Sequence, residues 1–313
     1  MKTFDVIIPC FNEALVIRNT YERTSSVLKT IPNITYTITF IDDGSKDTTP
    51  EILQEIAESD THVKVIYFSR NFGHQAAVTA GINHCTSDMA VIIDADLQDP
   101  PEVIPDLIRH MEEEKANVVY CVRKKREKEG LFKKASANLF YRMFNTLTEV
   151  KFPVDTGDFR LIDSNIIKEF NKLHERGKYI RGLIFWLGFK QVPYYYERHG
   201  RFAGETKYPL RKMITFALTA LLYFSKKPLI LTLALGFLSI LFGLILSCWY
   251  IFGKYFGFTN AESGYTSTVI IIIFFGGVQL LTIGTLGQYI GVLFDEIKGR
   301  PEYIIKNQVN FDK

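Results

Sequence analysis

Two long uncharged segments constrain this chain more than any other feature of its sequence. Residues 228–253 and 263–294 contain no Asp, Glu, Lys or Arg, although 23% of the 313 residues are charged. Each segment exceeds the roughly 20 apolar residues with which a helix crosses the hydrocarbon core of a bilayer. We therefore predict transmembrane helices at 228–253 and 263–294, and we exclude a single soluble globule.

The basic residues around these segments predict their orientation. They lie before the first segment and after the second, whereas the connection carries only Lys254. Because loops rich in Lys and Arg stay on the cytoplasmic side, we expect a multi-pass protein of the inner (plasma) membrane, with a cytoplasmic N-terminal domain (1–205) and tail (295–313). The basic residues in question are Arg211, Lys212, Lys226, Lys227, Lys298, Arg300 and Lys306.

Three further features favour contact with membrane lipids or with a second copy of the chain. Segment 206–227 has polar positions at helical spacing opposite an apolar stripe, which predicts an amphipathic helix in the membrane interface or, alternatively, a surface helix. The basic run 123–134 is a solvated loop or a contact for anionic lipid headgroups or a lipid phosphate. Glycines in the second uncharged segment allow close helix packing, within the chain or in a homo-oligomer. They are Gly276, Gly277, Gly284, Gly287 and Gly291.

The N-terminal part alternates Val- and Ile-rich runs with stretches of helical period. This rhythm predicts an α/β domain with a mainly parallel, Rossmann-like sheet, in which ligands bind beyond the carboxyl ends of the strands. The predicted strands are Phe4–Pro9, Tyr36–Asp42, Val63–Phe68, Met89–Asp94 and Val118–Val122.

Polar residues follow four of these strands, where a parallel sheet gathers them at one edge. Any one cluster alone is also explained as a turn or a helix cap, but their common placement favours a binding crevice. The residues are Asn12, Glu13, Asp42, Asp43, Arg70, Asn71, Asp94, Asp96 and Gln98.

Asp94 and Asp96 stand two residues apart at the end of an apolar strand. Carboxylates in such a turn suit a hard divalent cation, Mg²⁺ or Mn²⁺. A cation held there would bridge a diphosphate and stabilise the charge that develops as the diphosphate leaves.

Several other function classes are excluded by what the sequence lacks. The net charge of +3 is too small for a nucleic-acid-binding domain. The four cysteines form no Cys-x-x-Cys pair. No Gly-x-Gly-x-x-Gly follows a strand, and no P-loop, Gly-x-Ser-x-Gly or His-Glu-x-x-His motif occurs. The function class that remains is chemistry on a diphosphate, with a metal ion held by acidic residues.

Five motifs in this order resemble a family 2 glycosyltransferase of the GT-A fold. A sixth, followed by an amphipathic helix and two spans, resembles the polyprenyl-phosphate group of that family, which includes the bacterial bactoprenol glucosyltransferases and dolichol-phosphate mannose synthase. The resemblance covers nearly the whole chain. The motifs are Val6–Glu13, Ile41–Ser45, Arg70–Gly73, Asp94–Pro101, Thr156–Arg160 and Arg201–Lys207.

The resemblance implies a role for each candidate residue. A nucleotide sugar would be held by Pro9, Asn12, Glu13, Asp42, Asp43 and Arg70. The metal on its diphosphate would be held by Asp94, Asp96 and Gln98. Asp158 would lie near the sugar and the acceptor, unless it is a helix cap or an ion-pair partner of Arg160. The lipid phosphate would be bound by Arg123, Arg201 and Lys207.

The resemblance also implies the reaction, an inverting transfer of glucose from UDP-glucose to undecaprenyl phosphate. N-acetylglucosamine, mannose and aminoarabinose derivatives are alternative sugars. A processive polysaccharide synthase would carry Gln-x-x-Arg-Trp, which Tyr179–Gly182 does not match, and more spans. A non-catalytic membrane scaffold is the alternative from another class.

Overall fold

The computed structural model describes residues 1–123, 156–175, 179–197, 227–256 and 264–311. These residues form two compact units, one made of the described residues up to Glu197 together with Arg300–Phe311, the other of the described residues from Lys227 to Gly299. The predicted interfacial helix 206–227, apart from Lys227, lies outside the described residues. So do Arg201, Lys207 and the basic run beyond Arg123.

Eight strands form one mixed sheet in the first unit. They are β1 (Lys2–Cys10), β2 (Ile34–Asp42), β3 (Val63–Phe68), β4 (Met89–Ile92), β5 (Val118–Arg123), β6 (Thr156–Asp163), β7 (Gln191–Tyr196) and β8 (Ile305–Val309). Their order is β7-β5-β6-β4-β1-β2-β3-β8. The centre is parallel, since β1 pairs in parallel with β2 and β4, and β2 with β3. β6 runs antiparallel to β4 and β5, and β8 antiparallel to β3.

Helices accompany this sheet in the order that the sequence rhythm predicts. They are α1 (Ile17–Leu28), α2 (Thr49–Ser59), α3 (His74–His84), α4 (Ile104–Glu114), α5 (Ser164–Asn171) and α6 (Ile180–Trp186). The central strands are buried along most of their length, as expected for a sheet covered on both faces. The five predicted strands are confirmed, each to within two residues at either end.

Strand β8 was not predicted from the sequence. It belongs to the first unit and pairs with β3, in a register that shifts between Tyr67 and Phe68. Asn310, at the end of β8, donates from Nδ2 to the carbonyl oxygens of Ala57 and Val63, both at 2.8 Å. The tail is therefore a strand of the sheet.

The second unit contains two long helices, α7 (Lys227–Tyr255) and α8 (Gly264–Ile297). Both are long and apolar enough to cross a membrane, over Leu229–Leu246 and Ile271–Ile297. The helices approach closely at Gly243, where a Cβ would lie 2.7 Å from the Phe275 ring. The five glycines of α8 singled out from the sequence have open space where a Cβ would stand, so none of them mediates packing against the described part of this unit.

Candidate active site

The end of β2 organises the first side of the site. The Asp43 carboxylate is buried and accepts hydrogen bonds from the backbone N–H of Phe72 (2.6 Å), the backbone N–H of Gly73 (2.9 Å) and Asn71 Nδ2 (2.8 Å). Burial raises the pKa of Asp43, and these backbone hydrogen bonds oppose that rise. Asp43 thus fixes the loop of residues 70–73 that follows β3.

The turn after Asp43 connects this loop to the end of β1. Asn12, in the left-handed region at φ 55°, donates its N–H to Ser45 Oγ (2.8 Å) and accepts from the N–H of Lys46 (2.8 Å) through Oδ1. The buried Asp42 accepts from the Ser45 N–H at 3.2 Å. Three strand ends, those of β1, β2 and β3, are therefore joined by polar contacts.

Gly44 permits this junction, which gives a first prediction. Its φ is +69°, and a Cβ would lie 2.4 Å from the backbone carbon of Arg70. Gly188 has a similar φ of +75°, yet its nearest Cβ neighbour is 3.9 Å away. Gly188→Ala should therefore show the strain alone, about 1–2 kcal/mol, whereas Gly44→Ala should lower the free energy of unfolding further. Thermal unfolding of both variants in detergent measures the two losses of stability. Equal losses for Gly44→Ala and Gly188→Ala would contradict the prediction.

The second side of the site is the turn after β4. Asp94 Oδ1 is buried and has no hydrogen-bond partner among the described residues, while Asp96 Oδ1 accepts from the Gln98 N–H at 3.1 Å. From beneath the turn, the buried Thr20 hydroxyl on α1 donates to the Ala95 carbonyl oxygen at 2.8 Å. The Tyr196 hydroxyl of β7 donates to Asp99. Helix α1 and strand β7 thus hold both ends of this acidic turn.

An ion-pair chain connects the acidic turn to β6. Arg181 on α6 forms a bidentate ion pair with Asp158. Its Nε donates to Oδ1 at 2.7 Å, and one Nη donates to Oδ2 at 2.9 Å. His74, the first residue of α3, lies with Nε2 3.3 Å from Asp158 Oδ2 and 3.6 Å from Asp94 Oδ1. Asp43, Asp94 and Asp158 are thereby linked, because the loop that Asp43 fixes leads directly into His74.

The pKa values of these groups follow from burial and from their partners. Burial raises the pKa of Asp94 to about 6, and the charge of His74 opposes that rise. Burial also disfavours charge on Asp158 and His74, but their partners outweigh it. The Arg181 hydrogen bond and charge, with His74, hold the pKa of Asp158 well below its usual range. Asp158 and Asp94 raise the pKa of His74 to about 9. At neutral pH Asp158 is an anion and His74 a cation.

A divalent cation fits the acidic turn. Asp94 offers a buried carboxylate oxygen for which the described part of the chain supplies no hydrogen-bond partner, and Asp96 lies two residues further on. Within the described residues, no group of three or more His, Cys, Asp or Glu side chains converges as a complete ligand set. Mg²⁺ characteristically takes one or two carboxylates and completes its shell with substrate phosphates and water. The donor set therefore suits a cation shared with a phosphorylated ligand.

The remaining predicted residues occupy different surroundings. Pro9 is buried within β1, while Arg70 is exposed and stacks its guanidinium 4.0 Å from the Phe72 ring centroid. Glu13 donates its N–H to Thr49 Oγ1 at 2.9 Å. Arg123 ends β5, and its Nε is buried with no partner among the described residues.

Sequence reasoning missed His74 and Arg181. His74 directly follows the Arg70–Gly73 motif, so its place after a predicted strand was an available signal. Arg181 lies on a short helix far along the chain, and nothing in its local sequence indicates a link to Asp158. The alternative pairing of Asp158 with Arg160 is wrong, because among the described residues the buried Arg160 donates to the backbone carbonyl oxygens of Gly157 and Asp158 and to no carboxylate. A helix-cap role is wrong too, since Asp158 lies within β6.

A mainly parallel sheet with an Asp-x-Asp turn at its carboxyl edge is the arrangement of the GT-A class of glycosyltransferase. A solved structure shares this fold, glucosyl-3-phosphoglycerate synthase from Mycobacterium tuberculosis, crystallised with Mn²⁺, UDP and phosphoglyceric acid. It has a TM-score of 0.51 and 18% identity, and the match covers 71% of this chain and 76% of that one.

Residues 5–170 match the family Glycosyl transferase family 2, and the chain belongs to that family. It is 43% identical to the uncharacterized glycosyltransferase YkcC of Bacillus subtilis (strain 168), over 99% of this chain and 95% of that protein. It is 37% identical to the prophage bactoprenol glucosyl transferase homolog of Escherichia coli (strain K12), over 96% of this chain and 97% of that protein. It is 36% identical to the bactoprenol glucosyl transferase of Shigella phage SfV, over 97% of this chain and 98% of that protein.

Proposed function

We propose that this protein transfers glucose from UDP-glucose to undecaprenyl phosphate, with inversion at the anomeric carbon. The observation that carries the proposal is the chain of contacts from the acidic turn through His74 to Asp158 and Arg181. This chain of contacts supports the proposal because it joins the carboxylates that we assign to the cation to Asp158, which we assign to the acceptor side. Relatives named bactoprenol glucosyl transferase, matched over nearly the whole chain, support the acceptor and the sugar.

On the donor side, Asp94, Asp96 and Gln98 would hold Mg²⁺ or Mn²⁺ on the diphosphate. When bound, such a cation neutralises the charge of the leaving diphosphate. Asn12 and Asp42 fix the turn at Ser45, and we assign this turn to the nucleoside. We assign Pro9, Glu13, Asp43 and Arg70, which surround the turn and the adjoining loop, to the nucleotide sugar as well.

On the acceptor side, the nucleophile is a phosphate oxygen. A phosphate monoester has a second pKa near 6, so most of it is already the dianion at neutral pH and no proton needs to be removed. Both oxygens of Asp158 are engaged by Arg181. Asp158 therefore orients groups in the site and does not act as a base. We assign the lipid phosphate to Arg123, whose buried Nε has no acceptor among the described residues, and to Arg201 and Lys207.

We also propose that α7 and α8 cross the inner membrane and leave the GT-A domain in the cytoplasm. The pairing of β8 with β3 supports this topology. The residues before α7 and those after α8 belong to one sheet, so the chain must cross any membrane an even number of times. Two crossings satisfy that condition, and the excess of basic residues favours the cytoplasmic side.

The test uses the full chain purified in detergent with undecaprenyl phosphate, Mg²⁺ or Mn²⁺, and a panel of nucleotide sugars. UDP-glucose is compared with the UDP and GDP forms of the alternative sugars. Mass spectrometry of the lipid phase is expected to show a hexosyl undecaprenyl phosphate from UDP-glucose only, absent when metal is chelated and absent with Asp96→Asn.

Each other outcome has a definite meaning. A product from a different nucleotide sugar would correct the donor and retain the reaction class. Nucleotide-sugar binding without product from any donor would contradict the proposed transfer and favour the non-catalytic scaffold. Product formation that survives complete chelation would remove the metal from the mechanism.

A further inference from the structure

The tail strand lies beside the loop that forms the nucleotide side of the candidate site. Strand β8 pairs with β3, and just beyond the paired residues the carbonyl oxygen of Ile304 accepts a hydrogen bond from the Ser69 N–H at 2.9 Å. Ser69 immediately precedes Arg70. The tail therefore contacts β3 at the point where the loop of residues 70–73 begins.

An aromatic stack extends this contact toward the loop. The ring of Tyr303 lies parallel to that of Phe68, with centroids 5.1 Å apart and an interplanar angle of 10°. Phe68 in turn meets Phe72 edge to face, with centroids 5.7 Å apart. The Tyr303 hydroxyl also accepts a hydrogen bond from Asn83 Nδ2 at 3.1 Å, near the end of α3.

The stack ends on the residue that binds Asp43. Phe72 donates its backbone N–H to Asp43 and carries the Arg70 guanidinium on its ring. We propose that Tyr303 is a positioning residue for the nucleotide-sugar site, acting through Phe68 and Phe72 on the loop of residues 70–73. The identity of the ligand, a nucleotide sugar, rests on the proposed function. The effect of Tyr303 on the loop of residues 70–73 does not depend on it.

Other contacts hold β8 in place, so the role of Tyr303 is separable from strand docking. The far end of β8 is held by Asn310, which donates to the carbonyl oxygens of Ala57 and Val63. The ladder itself pairs Val309 with Val65. Removing the ring of Tyr303 should therefore loosen the loop and leave β8 paired with β3.

The experiment compares four variants of the full chain in detergent. Tyr303→Ala removes the stack, Tyr303→Leu keeps an apolar side chain without a ring, and Tyr303→Phe keeps the ring without the hydroxyl. Asn307→Ala is the matched control, because Asn307 is an exposed residue of the neighbouring strand β8. Hydrogen exchange of peptides spanning 69–74 is measured without ligand. The Kd for UDP, the KM for UDP-glucose and kcat are then determined.

We expect faster exchange at Phe72 and Gly73 in Tyr303→Ala and Tyr303→Leu, with Kd and KM raised about 3- to 10-fold, the effect of one aromatic pair. The kcat should stay within twofold, and Tyr303→Phe and Asn307→Ala should match the wild type. Unchanged loop exchange, or faster exchange throughout β2 and β3, would overturn the inference. If wild-type protein binds no UDP, the proposed function fails, and loop exchange still decides the role of Tyr303.

Discussion

Asp94→Asn is expected to lower turnover by on the order of 10²–10³-fold, the usual cost of removing one charge-stabilising group from an active site. The substitution keeps the shape of the side chain and removes the anionic charge of Oδ1, which is buried without a hydrogen-bond partner among the described residues. Burial disfavours the charge of Asp94 and raises its pKa to about 6, which offsets the loss of its contact with His74 at 3.6 Å, so we expect little change in stability. The expected signature is an inactive variant with an unchanged unfolding midpoint.

The measurement is product formation across a titration of Mn²⁺, with thermal unfolding on the same samples. Glu113→Gln, an exposed carboxylate on α4 paired with Arg109 at 3.9 Å, is the matched control and should keep full activity. The substituted enzyme should need more Mn²⁺ for whatever activity remains. Turnover within tenfold of the wild type would exclude Asp94 as a metal ligand.

Arg181→Leu is expected to lower the free energy of unfolding by about 3 kcal/mol, near the lower end for breaking a buried ion pair. Asp158, with a side chain only 10% exposed, would keep its charge and lose its bidentate partner. His74 still faces Asp158 at 3.3 Å, which limits the loss. Arg181→Lys should be intermediate, because an ammonium cannot bind both carboxylate oxygens in a fork. Arg109→Leu, which breaks an exposed ion pair, should cost less than about 1 kcal/mol.

A double-mutant cycle separates pairing from catalysis. Asp158→Asn combined with Arg181→Leu should recover part of the stability lost by Arg181→Leu alone, since no uncompensated charge remains. Turnover of Asp158→Asn should stay within about tenfold, because a general base would contribute about 10²–10⁴-fold. Arg201→Ala should reduce turnover more. A loss of 10³-fold in Asp158→Asn, with normal nucleotide binding, would identify Asp158 as the base and refute its orienting role.

Asp43 shows how a motif can be recognised and its structural contribution still be missed. Its place after a buried strand made it a candidate for the nucleotide sugar. The structure adds that its carboxylate is occupied by the N–H groups of Phe72 and Gly73. We infer that Asp43 shapes the site through this loop, and Gly44 is needed because the same loop passes within 2.4 Å of its missing Cβ.

Local patterns in the sequence were sufficient for the central architecture. Apolar runs bounded by polar turns predicted β1 to β5, because strands buried on both faces leave a continuous hydrophobic signal. Uncharged length alone predicted α7 and α8. The acidic turn at Asp94 and Asp96 was found because parallel strands bring their carboxyl ends to one edge, so position along the chain translates directly into position in the site.

Only the tertiary structure decided which distant residues meet. Strand β8 is a short polar segment whose pairing with β3 depends on the exposed sheet edge, and no local period marks it. Arg181 joins Asp158 because α6 lies beside the start of α3, where the Gln75 side chain accepts the Ile180 N–H. Sequence periodicity reports the burial of one element at a time. Ion pairs and edge pairing depend on how elements far apart in the chain pack together, which the local sequence does not record.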